Sequence, residues 1–161
     1  MHNLKIEFYL KFIFLVSLIA TISSFYIEYI LGHQACNLCL IERILYVLSL
    51  TILIVNYQFK KKQKYVVFLL IIIFVFSLLV SMYHFGIEQG FFQESLLCDL
   101  KNASNTLSKE EILKELQKKT VSCKDVTFRI FGFSLATINI VISLIISFIL
   151  IKIMLHNEKI K

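Results

Sequence analysis

Four cysteines are the residues of this chain best suited to chemistry, and their spacing divides them into two pairs. Cys36 and Cys39 form a C-x-x-C motif, whereas Cys98 and Cys123 stand far apart in a polar stretch. Such pairs can form structural disulfides, hold a metal ion or exchange electrons with other thiols. Spacing alone allows any pairing of the four, or a four-thiolate metal site. The choice therefore depends on where the chain places them.

The composition is that of a membrane protein. Of the 161 residues, 58% are hydrophobic, compared with about 45–50% in soluble domains. Apolar runs at about 12–31, 41–59, 65–84 and 130–151 each approach the roughly 20 residues that a membrane-spanning helix needs. We predict a single all-α domain over 1–161, a four-transmembrane-helix bundle. The first run exceeds a signal-peptide core and lacks a cleavage site after it, so we expect it to be retained.

Lysines in the short flanks of these runs predict the orientation of the chain. One side carries nine of them against Glu7 and Glu158: Lys5, Lys11, Lys60, Lys61, Lys62, Lys64, Lys152, Lys159 and Lys161. Positive flanks favour the cytoplasm, so both termini are expected inside, with periplasmic loops at about 32–40 and 85–129. All four cysteines then lie on the side where disulfides persist. The basic residues flank apolar runs and form no basic face, so no nucleic-acid partner is expected.

The C-x-x-C motif stands at the mouth of the second span. A structural disulfide closing so short a loop adds little stability, and thiolate-only zinc sites usually have two C-x-x-C units, so we favour redox chemistry without a metal. Cys39 lies where a helix start should lower a thiol pKa. Arg43, four residues on, either extends to the lipid headgroups or stabilises a thiolate and a reduced acceptor. Glu42 is a candidate ion partner for Arg43, or a proton relay.

The second pair brackets a polar loop within about 85–129. Ser108 and Glu111 form a capping box, which predicts a short amphipathic helix in solvent or on the membrane surface. A disulfide between Cys98 and Cys123 would close a loop of roughly 26 residues and contribute about 3–4 kcal/mol. It could be structural. Two pairs on one face instead suggest a relay through mixed disulfides.

Three segments of the chain carry a family resemblance. Residues 36–43, CNLCLIER, resemble the C-x-L-C-x-x-E/Q-R signature of the DsbB family of disulfide-bond-formation proteins. Residues 83–88, YHFGIE, are similar to that family's Y-H-x-G-x-E at the end of its third helix. Residues 123–126 and 131–134 resemble the approach to its fourth helix. The likeness spans nearly the whole chain, and these segments in this order are far more specific than C-x-x-C alone.

The resemblance implies a division of labour between the cysteine pairs. A periplasmic DsbA-like thiol oxidoreductase would attack Cys98, and Cys123 would resolve. The electrons would pass to Cys36 and Cys39, and from there to a membrane quinone, either ubiquinone or menaquinone. Because the soluble partner in this family is a strong oxidant, near −120 mV, its re-oxidation requires an acceptor of still higher potential.

The resemblance places Cys39 at the quinone, and the positions of the other residues make them candidates for the same site. Cys39 would lie next to the quinone, and Arg43 and Glu42 would contribute to its site. His84, at the outer end of the third span, would donate a proton or a hydrogen bond, although a His at a membrane boundary is often merely interfacial. Glu28, late in the first span, is expected near the headgroups, and ionisable residues in spans often carry function.

The chain departs from many family members in having no Pro and no Trp, and Ala35 precedes the first cysteine. These differences leave the chemistry intact but bear on partner choice, quinone type and loop geometry. One rival is a protein like vitamin K epoxide reductase, but there the C-x-x-C comes late in the chain. A second is a membrane protein with two structural disulfides, and a third is a specialised branch serving one dedicated partner.

Overall fold

The chain forms a bundle of four long helices, seen in a computed structural model that describes residues 2–58, 63–93, 123–124, 128–130 and 132–158. The helices and a short antiparallel hairpin are α1 (His2–Tyr29), α2 (Asn37–Gln58), α3 (Gln63–Glu88), β1 (Arg129–Ile130), β2 (Phe133–Ser134) and α4 (Leu135–Glu158). The predicted all-α bundle is confirmed. Cys98 and the predicted amphipathic helix at Ser108 and Glu111 lie outside the described residues.

Each helix contains a stretch long and apolar enough to cross a membrane. These stretches are Ile6–Tyr29, Asn37–Gln58, Gln63–Glu88 and Leu135–Leu155, between 21 and 26 residues long. A helix rises about 1.5 Å per residue, so each covers a hydrocarbon core of about 30 Å. Large apolar side chains point outward as well as inward, among them Ile44 and Phe148, as expected for helices whose outer faces meet lipid.

The fourth helix begins at Leu135 and not near residue 130, where the apolar run starts. Residues 129–130 and 133–134 form the hairpin instead, with Arg129 opposite Ser134 and Gly132 at a φ of 86° between the strands, a conformation that favours glycine. Ser134 Oγ then accepts a hydrogen bond from Thr137 N at 3.2 Å. This is an N-cap, so a local polar contact sets the helix start where hydropathy shows no break.

Buried polar side chains tie three of the helices together. The Tyr46 hydroxyl on α2 donates to Asn139 Oδ1 on α4, and Asn139 Nδ2 donates to Ser81 Oγ on α3 at 2.6 Å. Ser77 and Ser143 meet at 3.1 Å between α3 and α4. Small residues let helices approach closely in lipid, and polar groups there need partners. These contacts fix the rotation of α2 and α3 that builds the site below.

The chain turns back on itself at the end of α3. Phe91 N and Phe92 N both donate to Gly86 O, at 2.8 and 3.3 Å, and Gly90 adopts a φ of 77°. The Phe92 ring packs beside Tyr83 with 5.7 Å between ring centroids. A Cβ on Gly86 would overlap the Phe92 ring. The absence of a side chain at Gly86 therefore lets the turn close over α3.

This overlap predicts that the effect of Gly86→Ala on the free energy of unfolding depends on whether Phe92 is present. Alanine gains about 1 kcal/mol of helix propensity over glycine, but its methyl group would push the exposed Phe92 ring away from Tyr83, which opposes that gain. We expect Gly86→Ala to be neutral or destabilising alone, and stabilising when Phe92→Ala is already present. Unfolding midpoints of the purified protein in detergent provide the measurement. Equal shifts in both backgrounds would contradict the contact.

Candidate functional site

The C-x-x-C motif forms the start of α2. Cys36 immediately precedes the helix, and its carbonyl accepts the first helical hydrogen bond from Leu40 N at 3.1 Å. Its sulfur accepts a hydrogen bond from Cys39 N at 3.3 Å. Cys36 therefore occupies the N-cap position, with Sγ where a Ser or Asp oxygen usually lies. Unpaired N–H groups at this end of a helix favour an anion.

The two sulfurs lie together beside a histidine from α3. Cys36 Sγ and Cys39 Sγ are 2.8 Å apart, and both cysteines are free thiols. His84 Nε2 is 3.5 Å from Cys36 Sγ. Cys36 is 6% and His84 3% exposed, whereas Cys39 is half-buried. The structure thus brings three predicted site residues into one cluster, with Cys39 as its more accessible thiol.

Two carboxylates flank the His84 ring. Glu42 Oε1 lies 3.3 Å from Nδ1, and Glu88 Oε1 lies 3.7 Å from Nε2. Of the two roles considered for Glu42, ion partner of Arg43 or proton relay, this position fits the relay. Glu88 was not among the predicted site residues. Its spacing of four residues from His84 on one helix is the signal that could have found it.

Arg43 points toward α1. Its Nη1 meets Glu28 Oε2 at 2.5 Å as an ion pair, without hydrogen-bond geometry at that oxygen. Its Nε donates to Ser24 Oγ at 3.0 Å, and its Cζ lies 4.5 Å from the centre of the Phe25 ring. The ion partner of Arg43 is therefore Glu28, which was expected near the headgroups with a functional role in the span left open. The shared helical face with Cys39 remains, but the guanidinium is held by α1.

One cysteine of the second pair belongs to the same buried cluster as the first pair. Cys123 is 2% exposed and disulfide-bonded. It belongs to a buried cluster with Cys36, Leu38 and Ile87. Its predicted pairing with Cys98 stays a prediction, since Cys98 lies outside the described residues. A relay between the pairs requires Cys123 to lie near Cys36, and both residues belong to this buried cluster.

The electrostatics of the cluster favour a thiolate at Cys36. The Cys39 thiol donates to its sulfur, and His84 adds a hydrogen bond and a favourable charge. Together with the Cys39 backbone N–H, they lower the pKa of Cys36 to about 5 against the opposing effect of burial. The expectation that the helix start would act on Cys39 is thus corrected. The helix begins at Asn37, so the N–H of Cys39 in its first turn donates to Cys36 Sγ.

The depressed pKa predicts the pH range in which Cys36 is ionised. A thiol with a lowered pKa is a thiolate above that value and is protonated as the pH falls through it. We expect ultraviolet thiolate absorbance of the reduced Cys98→Ala/Cys123→Ala protein to be lost around pH 5. His84→Ala should move that loss to higher pH, and the control His33→Ala should not. A transition near pH 8.5, typical of free cysteine, would contradict the assignment.

Known proteins of similar sequence identify the family of this chain. The chain is similar to the uncharacterized protein RP370 of Rickettsia prowazekii (strain Madrid E), with 27% identity over 131 residues, 80% of this chain and 76% of that protein. No solved structure matches it. The sequence profile of the disulfide bond formation protein DsbB matches residues 7–153, which include all four cysteines, Arg43 and His84. The chain therefore belongs to the DsbB family and is a multi-pass membrane protein of disulfide bond formation.

Proposed function

We propose that this protein is a thiol:quinone oxidoreductase of the bacterial inner membrane. It re-oxidises a periplasmic DsbA-like dithiol protein and passes the electrons through two cysteine pairs to ubiquinone or menaquinone. The observation that carries the proposal is that Cys36 lies beside Cys39 and His84 and shares a buried cluster with Cys123. The lysine-rich flanks favour an orientation with both termini in the cytoplasm and the cysteines in the periplasm.

Electrons enter through the loop pair. The reduced partner attacks Cys98, forms a mixed disulfide and is released as its own disulfide, leaving Cys98 and Cys123 as thiols. Cys123 then attacks the Cys36–Cys39 disulfide at Cys36, its neighbour in the buried cluster, and frees Cys39. Attack of Cys98 on Cys123 restores the loop disulfide and expels Cys36. A sulfur of low pKa leaves readily, which suits the position of Cys36 in this last step.

The reduced first pair then faces the acceptor. A membrane quinone takes up two electrons and two protons, so one dithiol becomes one disulfide. Cys39 is half-buried, and the exposed apolar side chains of Leu40 and Ile44 flank it along α2. A lipid-soluble ring can approach such a surface laterally. The residues present fit a quinone, because the Cys39 thiol lies between an apolar face and a polar cluster.

Residues around the thiols transfer protons and supply a fixed positive charge. His84 lies between Cys36 Sγ and the carboxylates of Glu42 and Glu88, so it can take a proton released from the thiols and pass it on. Arg43 supplies a fixed positive charge one turn from Cys39, and Glu28 holds that guanidinium in place. In this proposal Arg43, Glu42, His84 and Cys39 form the acceptor site.

The proposal is tested with purified protein in detergent, a reduced DsbA-like partner and a water-soluble quinone analogue. We expect the quinone absorbance to decay only when protein and partner are both present. Partner thiols should disappear at two per quinone reduced, because each disulfide delivers two electrons. A protein whose disulfides are purely structural would leave the quinone oxidised, and that result would refute the proposal.

A further inference from the structure

We infer that the reduced site is also a binding site for a thiophilic divalent cation of the Zn²⁺ class. Cys36 Sγ, Cys39 Sγ and one ring nitrogen of His84 all lie within 4.8 Å of one another. Two thiolates and one imidazole are ligands that Zn²⁺ accepts in tetrahedral sites, with a fourth position open to water or a carboxylate. This donor set differs from the four-thiolate site considered from the sequence, because it uses one cysteine pair and a histidine.

The separations of the donor atoms suit such an ion. Zn–S bonds of about 2.3 Å and Zn–N bonds of about 2.0–2.1 Å place S and N roughly 3.5 Å apart at a tetrahedral angle. Cys36 Sγ and His84 Nε2 are 3.5 Å apart. The two sulfurs, at 2.8 Å, would have to separate by about 1 Å to reach tetrahedral spacing. Cys39 is half-buried and can make that adjustment by turning its side chain.

Two carboxylates lie beside the His84 ring. Glu42 Oε1 faces His84 Nδ1 at 3.3 Å, so a proton held on Nδ1 leaves Nε2 as the ligand atom. Carboxylates orient metal-binding histidines in this way. Glu88 Oε1 lies 3.7 Å from the same Nε2 with its side chain 6% exposed. Its Oε2 is buried and has no hydrogen-bond partner among the described residues. The Glu88 carboxylate is therefore the candidate fourth ligand.

The site exists in one redox state. A disulfide holds its sulfurs about 2.05 Å apart and offers no thiolate, so oxidation of Cys36 and Cys39 destroys it. Binding to the reduced form releases the remaining thiol and imidazole protons and transfers no electrons. The bound sulfurs are then withheld from disulfide formation. The ion would hold the protein in its reduced state and stop turnover; this consequence rests on the proposed function, whereas the binding does not.

The binding is tested with Co²⁺, whose absorption reports thiolate ligation and tetrahedral geometry. The full-length Cys98→Ala/Cys123→Ala protein in detergent is reduced without oxygen, freed of reductant and titrated. We expect one Co²⁺ per chain, with thiolate-to-metal charge-transfer bands, displacement by Zn²⁺, and no bands after oxidation of the pair. The reduced and oxidised samples are the same polypeptide, so the difference between them does not depend on any further substitution.

Variants separate the ligands from their surroundings. Cys36→Ser and Cys39→Ser should abolish the charge-transfer bands or weaken binding beyond detection. Glu42→Gln should weaken binding by about 10–100-fold, as loss of such histidine partners does, and His84→Ala by at least as much. The matched control His33→Ala should bind as the parent does. Absence of bands in the reduced protein, or bands that survive oxidation or Cys36→Ser, would overturn the inference.

Quinone reduction by the same samples distinguishes this inference from the proposed function. The wild-type protein is loaded with Zn²⁺, cleared of free ion and assayed with and without chelator. Inhibition that the chelator reverses supports the regulatory consequence, and full activity of the loaded protein refutes it. If Co²⁺ binds but neither sample reduces quinone, the metal site stands and the proposed function fails.

Discussion

We expect quinone reduction to fall to background when Cys39 is replaced by alanine. The two electrons leave the protein as Cys36 and Cys39 join in a disulfide, and one remaining thiol cannot supply both. The loss should be at least about a thousandfold, as for removal of a covalent nucleophile. The measurement is the initial rate of quinone reduction with a saturating reduced partner. Cys36→Ala should behave in the same way, because each sulfur is half of the bond.

A matched substitution on the same helix controls for general damage. Thr51 is exposed on α2, and its hydroxyl donates to Val47 O at 2.9 Å within that helix. Thr51→Ala should leave the rate of quinone reduction unchanged. The unfolding midpoints of both variants show whether the fold is retained. Substantial quinone reduction by a folded Cys39→Ala protein would end the proposed relay, since that relay delivers both electrons through the bond between Cys36 and Cys39.

We expect Cys123→Ala to separate the two halves of the relay. This variant should lose quinone reduction driven by the DsbA-like protein, because the loop pair can no longer pass its electrons on. It should keep reduction driven by a small dithiol, which can reach the Cys36–Cys39 disulfide through half-buried Cys39. The ratio of the two rates should change by at least about a hundredfold, in line with loss of an essential exchange partner.

The same variant tests which cysteine meets the partner. Cys98, left as a thiol, can exchange with a partner whose single remaining cysteine carries a chromogenic thiol as a mixed disulfide. The exchange releases that thiol and leaves the two proteins covalently joined. Peptide mapping should locate the bond at Cys98 once quinone has oxidised the first pair. Attachment at Cys36 would show that the order of the relay is wrong, even if quinone reduction itself persists.

The sequence determined the number of spans and the place of the first cysteine pair. Hydropathy marks membrane helices strongly because each must be apolar over about 20 residues. Cys36 and Cys39 directly follow a break in that pattern, so their position at a helix mouth is a local feature. Which of the two receives the helix N–H groups depends on the residue at which the helix begins. Because the helix begins at Asn37, Cys36 is the cysteine whose sulfur accepts a hydrogen bond from a helix N–H.

Only the tertiary structure decided which side chains face one another around that pair. Glu42 and His84 stand on different helices, as do Arg43 and Glu28, and their meeting depends on how each helix is rotated in the bundle. In a soluble helix an apolar stripe reveals that rotation. Here lipid-facing and core-facing sides are both apolar, so the periodicity is weak. The buried contacts of Asn139 with Tyr46 and Ser81 set the rotation instead, and no local pattern records them.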